Sequence, residues 1–503
     1  MQRAKILFVN FAHDRFLHEV SERIKDMAEV YYAGYSWITR PYFDNKSLFL
    51  DYAPYDNPSN LDILSSEILE WELNDSAMRI QNDFHAAFLI AMNRVSIGRF
   101  ENIMISSYYS ILTAFFRRKL KESQINLIFF DSTPHMPLDL ALAVAAMQLQ
   151  KKIVFIVPTT IPNHVVFKTQ IWTKELVTFD HVKGKLKRFN LAENAGQLLV
   201  SKADNSRSLG NFILSKGSNQ NRIERLKYHY DRNLFNLKDI FRTVVSDKWR
   251  EHYFHLSRIE ALREILKQRK NDKNLQEINR RIQKYNQLES SAMQKFKKNY
   301  KYIYFPLQFQ PERTTIPESQ FFSDQISGIL AIRSYAGADV PIIVKEHPRQ
   351  LRMRYTDIRR KHFRSSKFYE TIQTLENVRL VPAETKTSDL IKNASLIVSS
   401  TGSSMWEGMI QGIPCVSLAR NWHCSFKWSP YLLDIQDPNE YINEAISTPS
   451  RRILEDLDLF LEEIKSSLIE SADCELVANL SKMPIQSLVN NFEKAIIEII
   501  EKL

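Results

Sequence analysis

Three short stretches gather residue types able to do chemistry, and each follows directly on an apolar run. The first is Ile342-Ile343-Val344-Lys345-Glu346-His347-Pro348. A histidine at that point either donates to a phosphate or leaving-group oxygen, aimed by a turn that Pro348 stiffens, or closes hydrogen bonds within its own loop. The second is Leu396-Ile397-Val398-Ser399-Ser400-Thr401-Gly402-Ser403-Ser404, followed by Met405-Trp406-Glu407-Gly408-Met409. Small hydroxylated residues leave backbone N–H groups able to face an anion, and the N-terminus of a following helix adds a favourable dipole. The Walker lysine is missing, so ATP hydrolysis is not implied. Helix capping by Ser403 or Ser404 is compatible with that role. Glu407, three residues past Ser404, either completes a capping box or accepts ribose hydroxyls.

The third stretch, Asn126-Leu127-Ile128-Phe129-Phe130-Asp131-Ser132-Thr133-Pro134-His135-Met136-Pro137-Leu138-Asp139, ends an apolar run in two acids and a histidine. An acceptor hydroxyl needs a general base within hydrogen-bond reach, and Asp or His can serve. Asp139 is read as the cap of the helix it begins. Asp131 and His135 then stand with His347 as the catalytic candidates.

The elements that must position these residues are legible as two α/β series. Residues 5–11, 29–35, 102–106, 126–131 and 153–158 read as strands, with helical patterns at 109–122 and 138–150 between them and a long loop at 44–60. A second series has strands at 302–307, 341–346, 378–381, 396–400 and 415–418. Alternation of this kind predicts parallel sheets covered on both faces. Ligands of open α/β sheets bind beyond the carboxyl ends of the strands, which is where all three stretches fall, so a cleft between the two sheets is expected.

With 503 residues, the chain has room for two domains and an insertion. The expected division is a Rossmann-like domain over 1–200, a basic helical insertion over 201–300, a second Rossmann-like domain over 301–484, and an amphipathic helix over 485–503 that packs back on the first. The net charge of +10 belongs to the insertion: residues 201–300 hold 23 Lys and Arg against 11 Asp and Glu, and the remainder nets −2. Within it, Leu275, Ile278, Ile282, Tyr285 and Leu288 recur at helical spacing. Cys415, Cys424 and Cys474 match neither a zinc site nor a redox pair and read as reduced thiols, with Cys415 a small buried filler. The N-terminal apolar run reads as a first strand rather than a signal peptide, and residues 138–158 carry too many polar groups to span a bilayer. A cytoplasmic protein is expected.

At the three stretches the sequence resembles bacterial capsule-polysaccharide glycosyltransferases of the GT-B fold, a group that includes Kdo, sialic-acid and other nonulosonate transferases. Lys345-Glu346-His347-Pro348 is similar to that group's His-Pro motif and Ser399-Ser400-Thr401-Gly402-Ser403-Ser404 to its Ser-Ser/Thr motif. Tyr304-Phe305-Pro306-Leu307-Gln308-Phe309-Gln310-Pro311-Glu312-Arg313-Thr314-Thr315 is similar to the segment that opens the donor domain in the capsule branch. The likeness covers residues 300–420 well and 125–165 more loosely. It implies an α/β protein with two Rossmann-like domains facing a cleft (GT-B) and a helical basic insertion. It also implies an enzyme that moves a Kdo or nonulosonic acid from a CMP-activated donor to a capsule or other surface-polysaccharide or glycolipid acceptor. The motifs would bind the CMP part of the donor through His347, Ser399, Ser400 and Thr401, with Lys345, Glu346, Pro348, Gly402, Ser403, Ser404 and Glu407 around it. The Asp/Glu-Asp/Glu-Gly base motif of sialyltransferases is not evident in the first domain, which leaves the base open. No metal and no tightly bound cofactor are expected, because transferases of this group need no metal to activate a CMP-sugar. The clustered basic residues would meet the anionic inner-membrane surface, at which such polymers are extended, and have no motif that reads nucleic acid. CDP-glycerol-type polyol-phosphate transferases share both motifs and are the alternative. A non-catalytic membrane or nucleic-acid partner is a third reading.

Overall fold

The computed structural model describes residues 3–11, 14–34, 48–52, 58, 74–96, 100–161, 163–182, 259, 263, 276–286, 301–310, 312–347, 350, 364–383, 385–481 and 483–502. The first unit runs β1 (Ala4–Val9), α1 (Arg15–Arg23), β2 (Ala28–Gly34), β3 (Leu48–Asp51), α2 (Asp75–Ser96), α3 (Asn102–Ser123), β4 (Leu127–Phe130), α4 (Pro137–Gln148), β5 (Lys152–Pro158) and β6 (His164–Lys168). The second runs β7 (Ile303–Pro306), α5 (Gln325–Tyr335), β8 (Ile342–Lys345), α6 (Ser366–Thr374), β9 (Val378–Val381), α7 (Thr387–Lys392), β10 (Leu396–Ser399), α8 (Ser403–Met409), β11 (Cys415–Ser417), α9 (Pro438–Ser447) and α10 (Ser450–Glu463). The chain then returns to the first unit through β12 (Ile469–Glu470), α11 (Glu475–Leu480) and α12 (Ile485–Glu501).

The strand order is β12-β6-β5-β4-β1-β2-β3 in the first sheet and β11-β10-β7-β8-β9 in the second. Read from β3 to β5, the first sheet is parallel, and β6 and β12 extend it antiparallel, each to its neighbour. The second sheet is parallel throughout. Both are Rossmann-like, with order reversing between β1 and β4 and between β7 and β10, so each sheet opens a crevice at its carboxyl edge there. Every residue of β4, β7, β8 and β10 is buried, as strands covered on both faces require. The two units facing one another make the GT-B arrangement expected from the sequence.

Burial explains why these segments take these forms. In α4, Pro137 at the first turn presets the helix, and Leu138 to Ala146 are all buried because α3 and α2 flank it. The side chain of Asp14 accepts from the Leu17 amide and caps α1. Helix α12 lies on α1, where Arg23 bonds Glu493 at 3.0 Å and Asn490 at 2.7 Å over buried Leu488, Val489 and Phe492.

Three readings of local structure are corrected. Residues 102–106 are the first turns of α3, since Ile105, Tyr108, Tyr109, Leu112, Phe115, Phe116 and Leu120 form one continuous buried helical stripe. The loop expected over 44–60 contains β3, whose short apolar run gains its partner in β2. The return to the first unit begins at Ile469, where β12 pairs with β6, ahead of the helix at 485. Of the basic insertion, residues 276–286 are helical, with Ile278 and Ile282 buried against the second unit and Asn286 donating to the Leu380 carbonyl at 3.3 Å. Leu275, Leu288 and most of the expected helices there lie outside the described residues. Tyr285, read as part of the apolar stripe, is exposed although it shares the helix face of Ile278, at the last turn of the described helix. Among the described residues no helix is long and apolar enough to cross a membrane.

Candidate functional site

The second sheet reverses its order between β7 and β10, and the residues just past those strands are joined there. Gln308 donates from its side-chain amide to the Ser399 hydroxyl, while its own backbone N–H and C=O are taken by the side chain of Gln325. A Cβ on Gly402 would come within 2.7 Å of that Gln308 amide nitrogen, so a larger residue there would have to push the Gln308 side chain off Ser399. The Ser400 carbonyl accepts from the Ser417 hydroxyl at 2.9 Å and from the Asn421 amide at 3.1 Å, which fixes the turn from the β11 side. The turn is thus built rigidly from both neighbours.

Capping by Ser403 or Ser404 does not occur: Gly402 is the N-cap of α8, and no side chain caps it. Ser403 instead donates to Glu407 at 3.1 Å one turn on, so the expected box with Ser404 is replaced by an i,i+4 pair.

At the carboxyl end of β8, Lys345 and the following Glu346 are buried. The Lys345 ammonium donates to Thr387 at 2.7 Å. Glu346 accepts at 2.7 Å from both the Arg364 guanidinium and the His347 backbone amide, and at 2.6 Å from the Tyr369 hydroxyl. Burial beside this carboxylate pushes the Tyr369 phenol well up from its ordinary value. Arg364 in turn donates to Gln310 and to the Gln308 carbonyl, which ties the β8 turn to the β7 turn. Glu346 therefore orients the backbone at His347 rather than reaching a ligand. The His347 ring lies 5.5 Å from the Phe309 ring. Pro348 lies outside the described residues.

At the first sheet, Asp131 follows β4 and accepts from Ser132 at 3.2 Å. The Nδ1 of His135 donates to the Thr133 carbonyl at 3.0 Å, which makes Nε2 the ring atom able to take a proton. Asp139 does not cap α4, whose N-cap is Met136. It is buried in the first turn, and the amide of Asn10, at the end of β1 with φ of 64°, donates to it at 2.9 Å. Burial pushes the Asp139 carboxyl up to about 7, and the charge of Asp131 adds to the rise against the Asn10 and Tyr52 side chains. A carboxyl with that value can gain or lose a proton near neutrality. The capping expectation had hidden it.

The two carboxyl edges meet over a cavity of about 220 Å³. Thr401 and Gly402 reach it from the second unit and Thr133 from the first. Other walls were not singled out from the sequence: Thr160 and Lys168 beside the β5–β6 hairpin, and Asn421, Trp422 and His423 beyond β11. The last three follow a strand of an open parallel sheet, which is the one signal that could have marked them. The buried His423 bonds the Ser429 hydroxyl through Nδ1 at 2.9 Å. Burial, with the Lys168 charge nearby, drives its imidazole down to about 3, so the ring is neutral above that pH.

No family model matches the chain, and no curated protein matches it. Solved structures of similar outline include the UDP-GlcNAc 2-epimerase of Methanocaldococcus jannaschii in complex with UDP-GlcNAc and UDP, at 11% identity and a TM-score of 0.24 over 89% of this chain and 94% of that one. The N-terminal domain of Candida albicans trehalose-6-phosphate phosphatase gives 12% and 0.26 over 99% and 97%. The α,α-trehalose-phosphate synthase (UDP-forming) of Burkholderia xenovorans, in complex with glucose-6-phosphate, gives 9% and 0.24 over 91% and 96%.

Among the described residues no group of three or more His, Cys, Asp or Glu is arranged to hold a metal ion. The Asp456-Leu457-Asp458 run lies on α10, with Asp456 taken by the Trp428 indole at 2.7 Å and by Arg452 at 3.2 Å. Cys415, Cys424 and Cys474 are free thiols, and burial pushes the Cys415 thiol up.

Proposed function

We propose that the chain is a glycosyltransferase that moves a Kdo or nonulosonic acid from a CMP-activated donor to a capsule or other surface-polysaccharide or glycolipid acceptor. The observation that carries this reading is the cavity itself, whose walls take the Ser/Thr turn after β10 from one side and the turn after β4 from the other. A donor seated on the second unit would present its anomeric carbon to groups of the first. In this mechanism His347 donates to the leaving phosphate, and Ser399, Ser400 and Thr401 hold the nucleotide end. Gly402, Ser403 and Ser404 line the anion side, and Glu407 accepts from the ribose. Lys345 and Glu346 hold the turn that aims His347. Asp131 or His135 takes the acceptor proton as the glycosidic bond forms, the C–O bond to phosphate breaks, and CMP leaves with the bond electrons. The basic helix at 276–286 would rest on an anionic membrane surface where lipid-linked acceptor is presented.

The test is product analysis after incubating the full chain with CMP-Kdo, CMP-N-acetylneuraminate or CDP-glycerol and a glycolipid acceptor. Transfer of the sugar with release of CMP supports the reading. Transfer of a polyol phosphate from CDP-glycerol replaces it with the alternative.

A further inference from the structure

The helix at 276–286 belongs to the basic insertion, yet it is built into the second unit beside β9, the last strand in the order of that sheet. Ile278 and Ile282, one turn apart, are buried in the same apolar core as Leu380 and Val381 of β9. The Asn286 side-chain amide donates to the Leu380 carbonyl at 3.3 Å, which pins the end of the helix to the strand. The insertion is anchored here.

The same two isoleucines reach past the strand to the turn that carries His347. With Glu346 and Tyr369 they wall a cavity of about 10 Å³, which has room for no more than one water. Glu346 is the centre of the network there: one carboxylate oxygen accepts from Arg364 at 2.7 Å and Tyr369 at 2.6 Å, the other from the His347 backbone amide at 2.7 Å. The helix brings no competing charge to it, since Arg280 and Arg281 are exposed beside Glu277, at 3.4 and 3.5 Å. An ion pair open to water is screened and worth little, whereas one kept dry holds a single geometry. Water admitted past Ile282 would compete with the His347 amide for the Glu346 carboxylate.

We propose that the helix at 276–286 is a positioning element for His347, with Ile278 and Ile282 as its positioning residues. They keep water from the Glu346 carboxylate and so fix the backbone from which the His347 ring is aimed. The link to catalysis rests on the role of His347 in the transferase reading above; the effect on the turn does not.

The experiment is hydrogen exchange at the His347 amide, read by mass spectrometry on the full chain in wild type, Ile282→Asp, Ile282→Ala and Ile282→Val. Ile282→Asp should exchange about tenfold faster there, a change that matches the loss of one hydrogen bond. Ile282→Ala should fall between, and Ile282→Val, which keeps the apolar cover, should stay at the wild-type rate. Amides of β10 should exchange as in wild type throughout, which separates a loosened turn from a destabilised unit. Turnover of CMP-Kdo or CMP-N-acetylneuraminate should fall in the same order, in kcat, with CMP affinity unchanged. A His347 amide that is unmoved in Ile282→Asp, or that speeds up only in step with β10, overturns the proposal. So does a loosened amide with wild-type kcat, because the helix is then structural alone. Should Ile282→Asp fail to fold, Ile282→Ala decides by the same comparisons. If the amide responds as expected but wild type turns over neither CMP-sugar, the bracing of the turn stands and the transferase reading falls.

Discussion

The ammonium of Lys168, at the end of β6 in the first sheet, donates to the Arg420 carbonyl beyond β11 in the second at 2.7 Å, so a buried charge joins the two units beside the cavity. Burial lowers its ammonium from the ordinary lysine value. A lowered lysine pKa means that the unfolded chain binds the extra proton, so this residue's contribution to stability improves as pH rises through the window below about 10.4. Lys168→Met leaves two carbonyls without their donor and should cost about 2 kcal/mol at pH 7, read by urea unfolding. The deficit should grow as pH rises toward about 10.4, where the wild-type fold sheds the cost of the buried charge before the unfolded chain loses its proton. A deficit independent of pH would show that the charge is not at issue.

Glu346 and Arg364 form a buried pair at 2.7 Å, with side chains 5% and 0% exposed. Removing one partner strands the other charge, so Glu346→Ala should lose about 3–5 kcal/mol of stability. Glu346→Gln should lose less, because it keeps an acceptor for Tyr369. If both variants unfold at the wild-type midpoint, the network does not hold the turn at His347.

Asp139 gives a pH signature of opposite sense. Its carboxyl is raised to about 7 in the fold, so between about pH 4 and 7 the unfolded chain has released a proton that the fold retains, and stability falls as pH rises across that window. Asp139→Asn removes this dependence: the variant should match wild type near pH 4 and become progressively more stable than it toward pH 7.5. Parallel stability curves for the two proteins would contradict the assignment. In activity, Asp131→Asn should lower turnover with CMP affinity intact. The same loss in His135→Ala alone moves the base to His135.

What the sequence revealed and what it hid have physical reasons. Strands β4, β8 and β10 are continuous apolar runs ended by polar residues, so their limits and the chemistry at their ends could be read directly. Residues 102–106 misled because a β-rich pentapeptide sits inside a longer helical stripe whose period shows only over several turns. Asp139 reads as a cap because its position fits one, and its burial beside Asn10 depends on a residue 129 positions away. Thr160, Lys168 and His423 carry no local pattern at all. They acquire meaning only where loops of two sheets meet, which no single window of sequence contains.

The helix at 276–286 buries Ile278 and Ile282 and turns Arg280 and Arg281 outward, their side chains 70% and 72% exposed. If it serves an anionic membrane surface, the chain should sediment with vesicles containing phosphatidylserine and leave them as salt rises. Replacing Arg280, Arg281 and Lys284 with Glu should weaken that binding without altering turnover on a short water-soluble acceptor. Wild-type protein that ignores such vesicles at low salt would remove the membrane from the account.

The central claim, a CMP-activated donor seated at the turns after β8 and β10, is tested most directly by nucleotide selectivity. Thermal unfolding of the full chain is measured with CMP, UMP, AMP and GMP at equal concentrations, since a ligand that binds only the folded state raises Tm by mass action. The account predicts that CMP gives the largest upward shift and that the shift is lost in a Ser400→Trp variant, whose side chain would fill the turn. A largest shift with UMP, or no shift with any of the four, would contradict it.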